Sequence, residues 1–451
     1  MSTATALASY GLPYWLDLPR PTFPQLERDC TADAVVIGAG ICGLKMARVL
    51  NQQGLRTVLL EGGRVGDGAS SRNQGSINHG AGLSYATAIA RYGRAAARQL
   101  WQLGLENHRL IREQIDEYQI DCDYEVAGYT YLARRDQPNW EATLASYRTE
   151  TTLLQEDGFD VAFLDEQEAA QLAGGPHYGG GYSYRTDAQF HSGKYQLGLA
   201  TAVAQLPHIA LYEQSRVRTI ARVGGSVTVK TDRATVTTPR VFLALNALAP
   251  QFVPDLAGGL RAERGQILVT EPLAERPCHG SFGTAMAWWR ELPEADGRFR
   301  LLFGGGRARE EPDSLFPQFT TEQQPHPLLE SEGFRPSVAH QQRLDSEFAK
   351  LFPHLVGARI SHRWGGLQSF TADDLPQMGL FDEERQLYGV AGLCGRGNCY
   401  SDVGAQYVVG QALGVVTPVG LQYGALLAER MAVRRPAATW GGVGEFVPVD
   451  P

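Results

Sequence analysis

Residues 38–43 read Gly-Ala-Gly-Ile-Cys-Gly, and an acidic residue, Glu61, closes the next apolar run. Each glycine in such a spacing has a task. Gly38 permits a tight turn, Gly40 lets a pyrophosphate approach the backbone, and Gly43 lets a helix lie against a strand. The helix start offers free N–H groups and roughly half a positive charge, which suit phosphate. Glu61 would accept hydrogen bonds from ribose hydroxyls and repel a 2′-phosphate. Together the four residues predict a bound dinucleotide. No second motif of this kind follows a strand, because Gly304-Gly-Gly306 ends one instead. A nicotinamide module is therefore not expected, and the reductant must be a substrate that gives up its hydride directly.

The elements around the motif have the required order. Ala32 to Gly38 is a buried apolar strand, Leu44 to Gln53 has helical spacing and ends at Gly54, and Arg56 to Glu61 is a second strand. This is a βαβ unit, which implies a parallel sheet. Later runs, from Tyr129-Thr-Tyr-Leu-Ala to Phe299-Arg-Leu-Leu-Phe303, read as strands of an antiparallel sheet, with helices near 140–154 and 338–352. The fold class expected is α/β: a Rossmann-like domain interleaved with a mixed or antiparallel-sheet substrate domain. The segments expected are a proline-rich arm 1–30, dinucleotide-domain pieces 31–95, 151–225 and 356–435, substrate-domain pieces 96–150 and 226–355, and a tail 436–451.

The chain has 451 residues, with 41 Lys plus Arg against 49 Asp plus Glu and a net charge of −8. That balance argues against a nucleic-acid partner, which would need a basic excess. Hydrophobic residues at 43% exclude wholesale disorder. Six cysteines without a CxxC pair predict neither a disulfide framework nor a metal site, and suit a cytoplasmic protein. Residues 403–428 carry no charge, but their glutamines, glycines and Pro418 read as buried structure rather than a membrane span.

Directly after the second strand comes Gly66-Asp-Gly-Ala-Ser70-Ser71-Arg72-Asn73-Gln74-Gly75. Here the sequence resembles the D-amino-acid-oxidase-like family of FAD oxidoreductases, particularly its glycine oxidase and γ-glutamylputrescine oxidase branches. Further matching segments follow in order: Asp187 to Ala200, Ser215-Arg-Val217, Arg264-Gly-Gln266, Trp288-Trp-Arg290, Leu302-Phe-Gly-Gly305 and Arg363-Trp-Gly-Gly-Leu367 with Asp374-Leu-Pro376. The resemblance implies FAD as cofactor, with Gly62 and Ser70 to Gln74 cradling its pyrophosphate and ring and the Val217 backbone at adenine. Ser71 and Gln74 stand where the family has glycines. The family's flavin-side loop is replaced by Cys394-Gly395-Arg396-Gly397, after which 398–413 reads as an insertion, a lid or a partner-docking element. Thr417-Pro418 then reads as a helix start. Either Gly395 to Gly397 or Thr417 would serve the flavin. Non-covalent FAD is expected, since no histidine matches the family's linking position; Cys394 and Cys399 leave a covalent bond open.

The resemblance implies oxidation of the C–N bond of an amine or amino acid, with hydride passing to flavin N5 and the imine then hydrolysing. Oxygen or a carrier takes the electrons onward. Two rivals stay open: a 2-hydroxy-acid or polyol-phosphate dehydrogenase, and a non-catalytic flavin-bound partner protein. Arg290 either forks onto a substrate carboxylate, with Trp288 and Trp289 as walls, or pairs with Glu291 or Glu294. His79 is placed either on the flavin face or in a structural loop. Of four lysines, Lys194 is the candidate beside N5, or else it orders its own helix start. Arg396 would bring positive charge to the flavin edge. Gln266 is either pocket-lining or part of the sheet.

Overall fold

A computed structural model describes residues 11–305 and 334–432. The first ten residues of the expected arm, residues 306–333 and the expected tail 436–451 lie outside the described residues.

The apolar run Ala34–Ile37 is buried on both faces, as a central parallel strand must be. It sits in a six-stranded sheet in the order 377–382, 387–391, 241–243, 34–37, 57–60, 209–212. All pairings are parallel except that between Gln377–Asp382 and Leu387–Ala391. Strand alternation splits the core accordingly. Val36 and Leu59 pack under helices including Ile41–Gln52, while Val35, Ile37, Val58 and Leu60 face a four-stranded sheet that contains Val217–Val223 and Ser226–Thr231.

The second large layer is an eight-stranded sheet in the order 360–370, 261–270, 299–305, 287–293, 281–283, 129–134, 178–184, 161–164. It is antiparallel except where Ser281–Gly283 runs parallel to Tyr129–Arg134. This two-layer architecture is the α/β class expected, but the segment boundaries move. Strands 161–164 and 178–184, expected in the dinucleotide domain, pair in the eight-stranded sheet, as does Ile360–Phe370. Val241–Leu243, expected in the substrate domain, completes the parallel sheet. Long-range pairing decides these memberships, and local composition does not carry it.

The described part of the arm lies over the body. Trp15 is 1% exposed, and its Nε1 donates to Asn73 O at 2.7 Å. Among the described residues no helix is long and apolar enough to cross a membrane.

One buried carboxyl ties the helices together. Glu150, on helix Trp140–Glu156, accepts from the Tyr85 and Ala86 amides at the start of helix Tyr85–Tyr92. Burial nevertheless pushes its pKa from 4.5 up to about 7. The folded chain thus holds this proton more tightly than the unfolded chain does. That stabilisation is complete below pH 4.5 and is lost as pH rises through 7. Between pH 4.5 and 8, wild type should lose on the order of 3 kcal/mol relative to Glu150→Gln, read from denaturant unfolding at each pH. Parallel pH profiles for the two proteins would contradict this reading.

Candidate active site

Gly38 follows its strand with φ +97°, where a Cβ would lie 2.9 Å from Ala244 O. A Cβ on Gly43 would come within 1.8 Å of Gly38 O, so only glycine lets the helix Ile41–Gln52 rest on the turn. No side chain of the N-cap residue, Gly40, closes the start of this helix; Ser70 Oγ accepts from Ile41 N at 2.9 Å. The remaining first-turn N–H groups are those a helix leaves for a ligand. Glu61 accepts from Ala39 N and Gly63 N, both at 3.0 Å. Burial raises its pKa, against the pull of those two amides.

These residues open onto a cavity of about 1780 Å³, above the roughly 300–1,000 Å³ of an ordinary small-ligand pocket. Gly38, Gly40, Glu61, Gly62, Ser70 and Val217 line one end. Arg72, Asn73 and Gln74 line its middle, and Gly395, Arg396 and Gly397 its far end. Arg72 is pinned: Nε donates to Asp67 O at 2.7 Å, Nη1 donates to Gly365 O at 3.0 Å, and the guanidinium lies 5.2 Å from the Phe334 ring centre. Its burial lowers its pKa to about 10. Asn73 Oδ1 accepts from Gly75 N and from Ser192 Oγ, each at 2.7 Å, which closes the cradle turn.

At the far end, Cys394 and Gly395 take positive φ (50° and 73°), and helix Gly397–Leu413 starts at once, with no side-chain cap. Arg396 Nη2 donates to Tyr131 OH at 3.2 Å and Nη1 to His79 O at 3.4 Å. Beyond lies an aromatic chamber that includes Tyr129, Tyr131, Tyr147 and Trp288. Tyr129 and Tyr131 have ring centres 5.0 Å apart, and burial raises both phenol pKa values. No histidine lines the cavity among the described residues.

A family model described as DAO, FAD dependent oxidoreductase, matches residues 33–411. The chain belongs to this DAO family. It is 28% identical over 388 residues to the gamma-glutamylputrescine oxidoreductase of Escherichia coli K12, covering 83% of this chain and 82% of that protein. The Haemophilus influenzae protein described as "Probable oxidoreductase OrdL" is 27% identical over 405 residues, 87% of this chain and 85% of the other. Among solved structures, glycine oxidase from Geobacillus kaustophilus shares the fold with a TM-score of 0.68 at 20% identity, covering 86% of this chain and 96% of that one.

As a DAO-family FAD-dependent oxidoreductase, the chain offers donors that fit the cofactor: two helix starts without N-cap side-chain bonds face one cavity, with the half-buried carboxyl of Glu61 at one end. Several expected roles fall elsewhere. Residues 398–413 are not an insertion. They are the helix that follows the flavin-side loop, with Tyr400, Val403 and Val408 fully buried. This removes the lid and partner-docking reading. Thr417 does cap the next helix, Pro418–Arg430, accepting from Gly420 N at 3.1 Å. Its hydroxyl also donates to Gln406 O, about 14 Å of helix beyond Gly397, so it is no cofactor contact. Ser71 is fully buried behind the cradle and does not line the cavity.

Arg290 is neither a substrate arm nor a surface partner of Glu291 or Glu294. Its Nη1 donates to Gly75 O and Phe190 O, both at 3.1 Å, and its Nε to the Glu291 backbone carbonyl. Glu291 pairs with Arg276, and Glu294 with Arg300. Trp288 faces the cavity, whereas its neighbour Trp289 points into the core beside Phe282 and Tyr178. Gln266 is buried and pairs with the Ser337 backbone, pinning the start of helix Val338–Leu351. His79 is buried too: its Nδ1 meets Asp187 Oδ1 at 2.5 Å, its ring lies edge-on to Tyr184, and only its carbonyl reaches Arg396. Lys194 forms a partly exposed pair with Asp123 at 2.8 Å, at its own helix start. Sequence reasoning missed Tyr129 and Tyr131, which sit in a strand noted only as a strand.

Proposed function

We propose that this chain oxidises the C–N bond of an amine or amino acid to an imine, which then hydrolyses to a carbonyl compound and an amine or ammonia. FAD, when bound, supplies the hydride acceptor, and oxygen or an electron carrier takes the electrons onward. The aromatic chamber lined by Tyr129, Tyr131 and Trp288 carries this reading. Removing a proton from an ammonium of pKa near 10 costs roughly 4 kcal/mol at neutral pH, and burial among Tyr129, Tyr131 and Trp288 reduces that cost by disfavouring the charged form. A hydroxyl has a pKa nearer 16, as water does, and would demand a strong positioned base. Positioning in an apolar chamber therefore favours an amine over a hydroxy acid.

Arg396 brings positive charge beside the chamber and supports negative charge that develops at the cavity's far end. We further propose that the FAD is held without a covalent bond. Burial pushes the Cys394 thiol up to about 12 and Cys399 to about 11, so both stay protonated, and a thiol in that form is a poor nucleophile. All six cysteines are free, which suits the reducing cytoplasm.

The test is product analysis with an amine panel and a hydroxy-acid panel. The expected result is a carbonyl product with stoichiometric amine or ammonia from at least one amine substrate. Turnover of hydroxy acids alone would overturn the proposal.

A further inference from the structure

The first turn of helix Gly397–Leu413 is held by a side chain from another helix. In an uninterrupted α-helix the Asp402 amide donates to the Asn398 carbonyl, four residues back. Here Asn107, on helix Arg94–Glu117, answers both ends of that rung. Its Nδ2 donates to Asn398 O at 2.7 Å, and its Oδ1 accepts from Asp402 N at 2.9 Å and Val403 N at 3.3 Å. Asn107 is fully buried. The segment is α-helical from Gly397 to Leu413, and Asn107 ties its first turn to helix Arg94–Glu117.

The wedge is itself anchored. Gln114, two turns along from Asn107, donates to one Asp402 carboxylate oxygen, and the buried ammonium of Lys45 pairs with the other. Lys45 Nζ also reaches Ser401 Oγ at 2.8 Å. The turn above this knot is the one that meets the cavity. Gly397 and Asn398 line it, Asn398 Nδ2 donates to Ser76 O at 3.0 Å, and Tyr400 OH donates to Gly80 O at 3.3 Å. A fully buried asparagine is costly unless it is hydrogen-bonded, and here both of its polar atoms are spent on a neighbouring helix's backbone.

We propose that Asn107 is a positioning residue for the redox chemistry: its wedge aims the cavity-facing first turn of helix Gly397–Leu413. This rests on the reading that FAD fills the cavity. In Asn107→Leu the shape of the side chain is roughly retained, but Asn398 O, Asp402 N and Val403 N lose their partner on helix Arg94–Glu117 and the first turn is no longer held in its aim. The positive end of the helix then supports negative charge on the reduced cofactor less well.

The experiment compares FAD-loaded wild type, Asn107→Leu and Asn107→Ala, the last removing the wedge without adding bulk in case leucine prevents folding. FAD dissociation constants, the reduction potential of bound FAD and melting temperatures are measured on all three. The expected result is an FAD affinity weaker by about tenfold and a more negative potential in both variants. Variants that melt earlier but keep the wild-type affinity and potential would show a merely structural asparagine and overturn the proposal. A wild-type chain that takes up no FAD would overturn the cofactor reading itself, and this inference with it.

Discussion

Gly43→Ala should yield a folded protein without colour. The added methyl would lie 1.8 Å from Gly38 O and 3.0 Å from Gly38 C, both backbone atoms that no rotamer change can move aside. Helix Ile41–Gln52 would have to retreat from the turn, taking its start away from the cavity end lined by Gly40 and Glu61. Overpacking of this kind costs several kcal/mol when backbone meets backbone, so FAD affinity should fall more than about a hundredfold. Equilibrium dialysis with FAD, alongside circular dichroism, measures it. Gly424→Ala is the control, because its Cβ meets nothing within 4 Å on helix Pro418–Arg430. That change should leave FAD binding intact and add up to about 1 kcal/mol of stability. Unchanged FAD affinity in the Gly43 variant would remove the motif from the account.

Arg290→Met should cost about 1–3 kcal/mol of folding stability, because it leaves the buried Phe190 carbonyl without its Arg290 donor and the Gly75 carbonyl with only the Phe190 amide. The same loss slackens the turn that closes the FAD cradle, so FAD retention should fall with stability. A substrate-binding arginine behaves differently: its removal raises KM and spares the melting temperature. Denaturant unfolding and steady-state kinetics of the FAD-loaded fraction separate the two. A raised KM with unaltered stability would restore the substrate role and contradict the contacts described above.

The contrast between these two residues marks what the sequence can disclose. Gly38, Gly40, Gly43 and Glu61 answer to local demands, a positive φ, a close approach and an acid at a strand end, and local demands leave a spacing. Arg290 answers to Gly75 and Phe190, which are 215 and 100 residues away. Strand geometry explains the rest of that misreading. Trp288 stands opposite Gly304 and faces the cavity, alternation turns Trp289 inward, and Arg290 lies roughly 7 Å further along the strand, past the chamber. His79 likewise finds its partner, Asp187, 108 residues on.

The Gly397 helix was illegible for another reason. It is packed by helices Ile41–Gln52, Arg94–Glu117 and Pro418–Arg430 and by the strand Gln377–Asp382, so even its polar Asn398, Ser401 and Asp402 are buried. A helix buried on most of its surface shows no clear polar stripe, and without a stripe its period cannot be seen. An apparent insertion was the result.

The account rests on an amine giving up its hydride inside the aromatic chamber to FAD held between the two helix starts. The most direct measurement mixes FAD-loaded protein with amines, amino acids and hydroxy acids in the absence of air and follows the visible absorbance of the oxidised cofactor. The account predicts that at least one amine or amino acid bleaches the band while hydroxy acids leave it unchanged. A protein that binds no FAD, or a band that no amine bleaches, would contradict it.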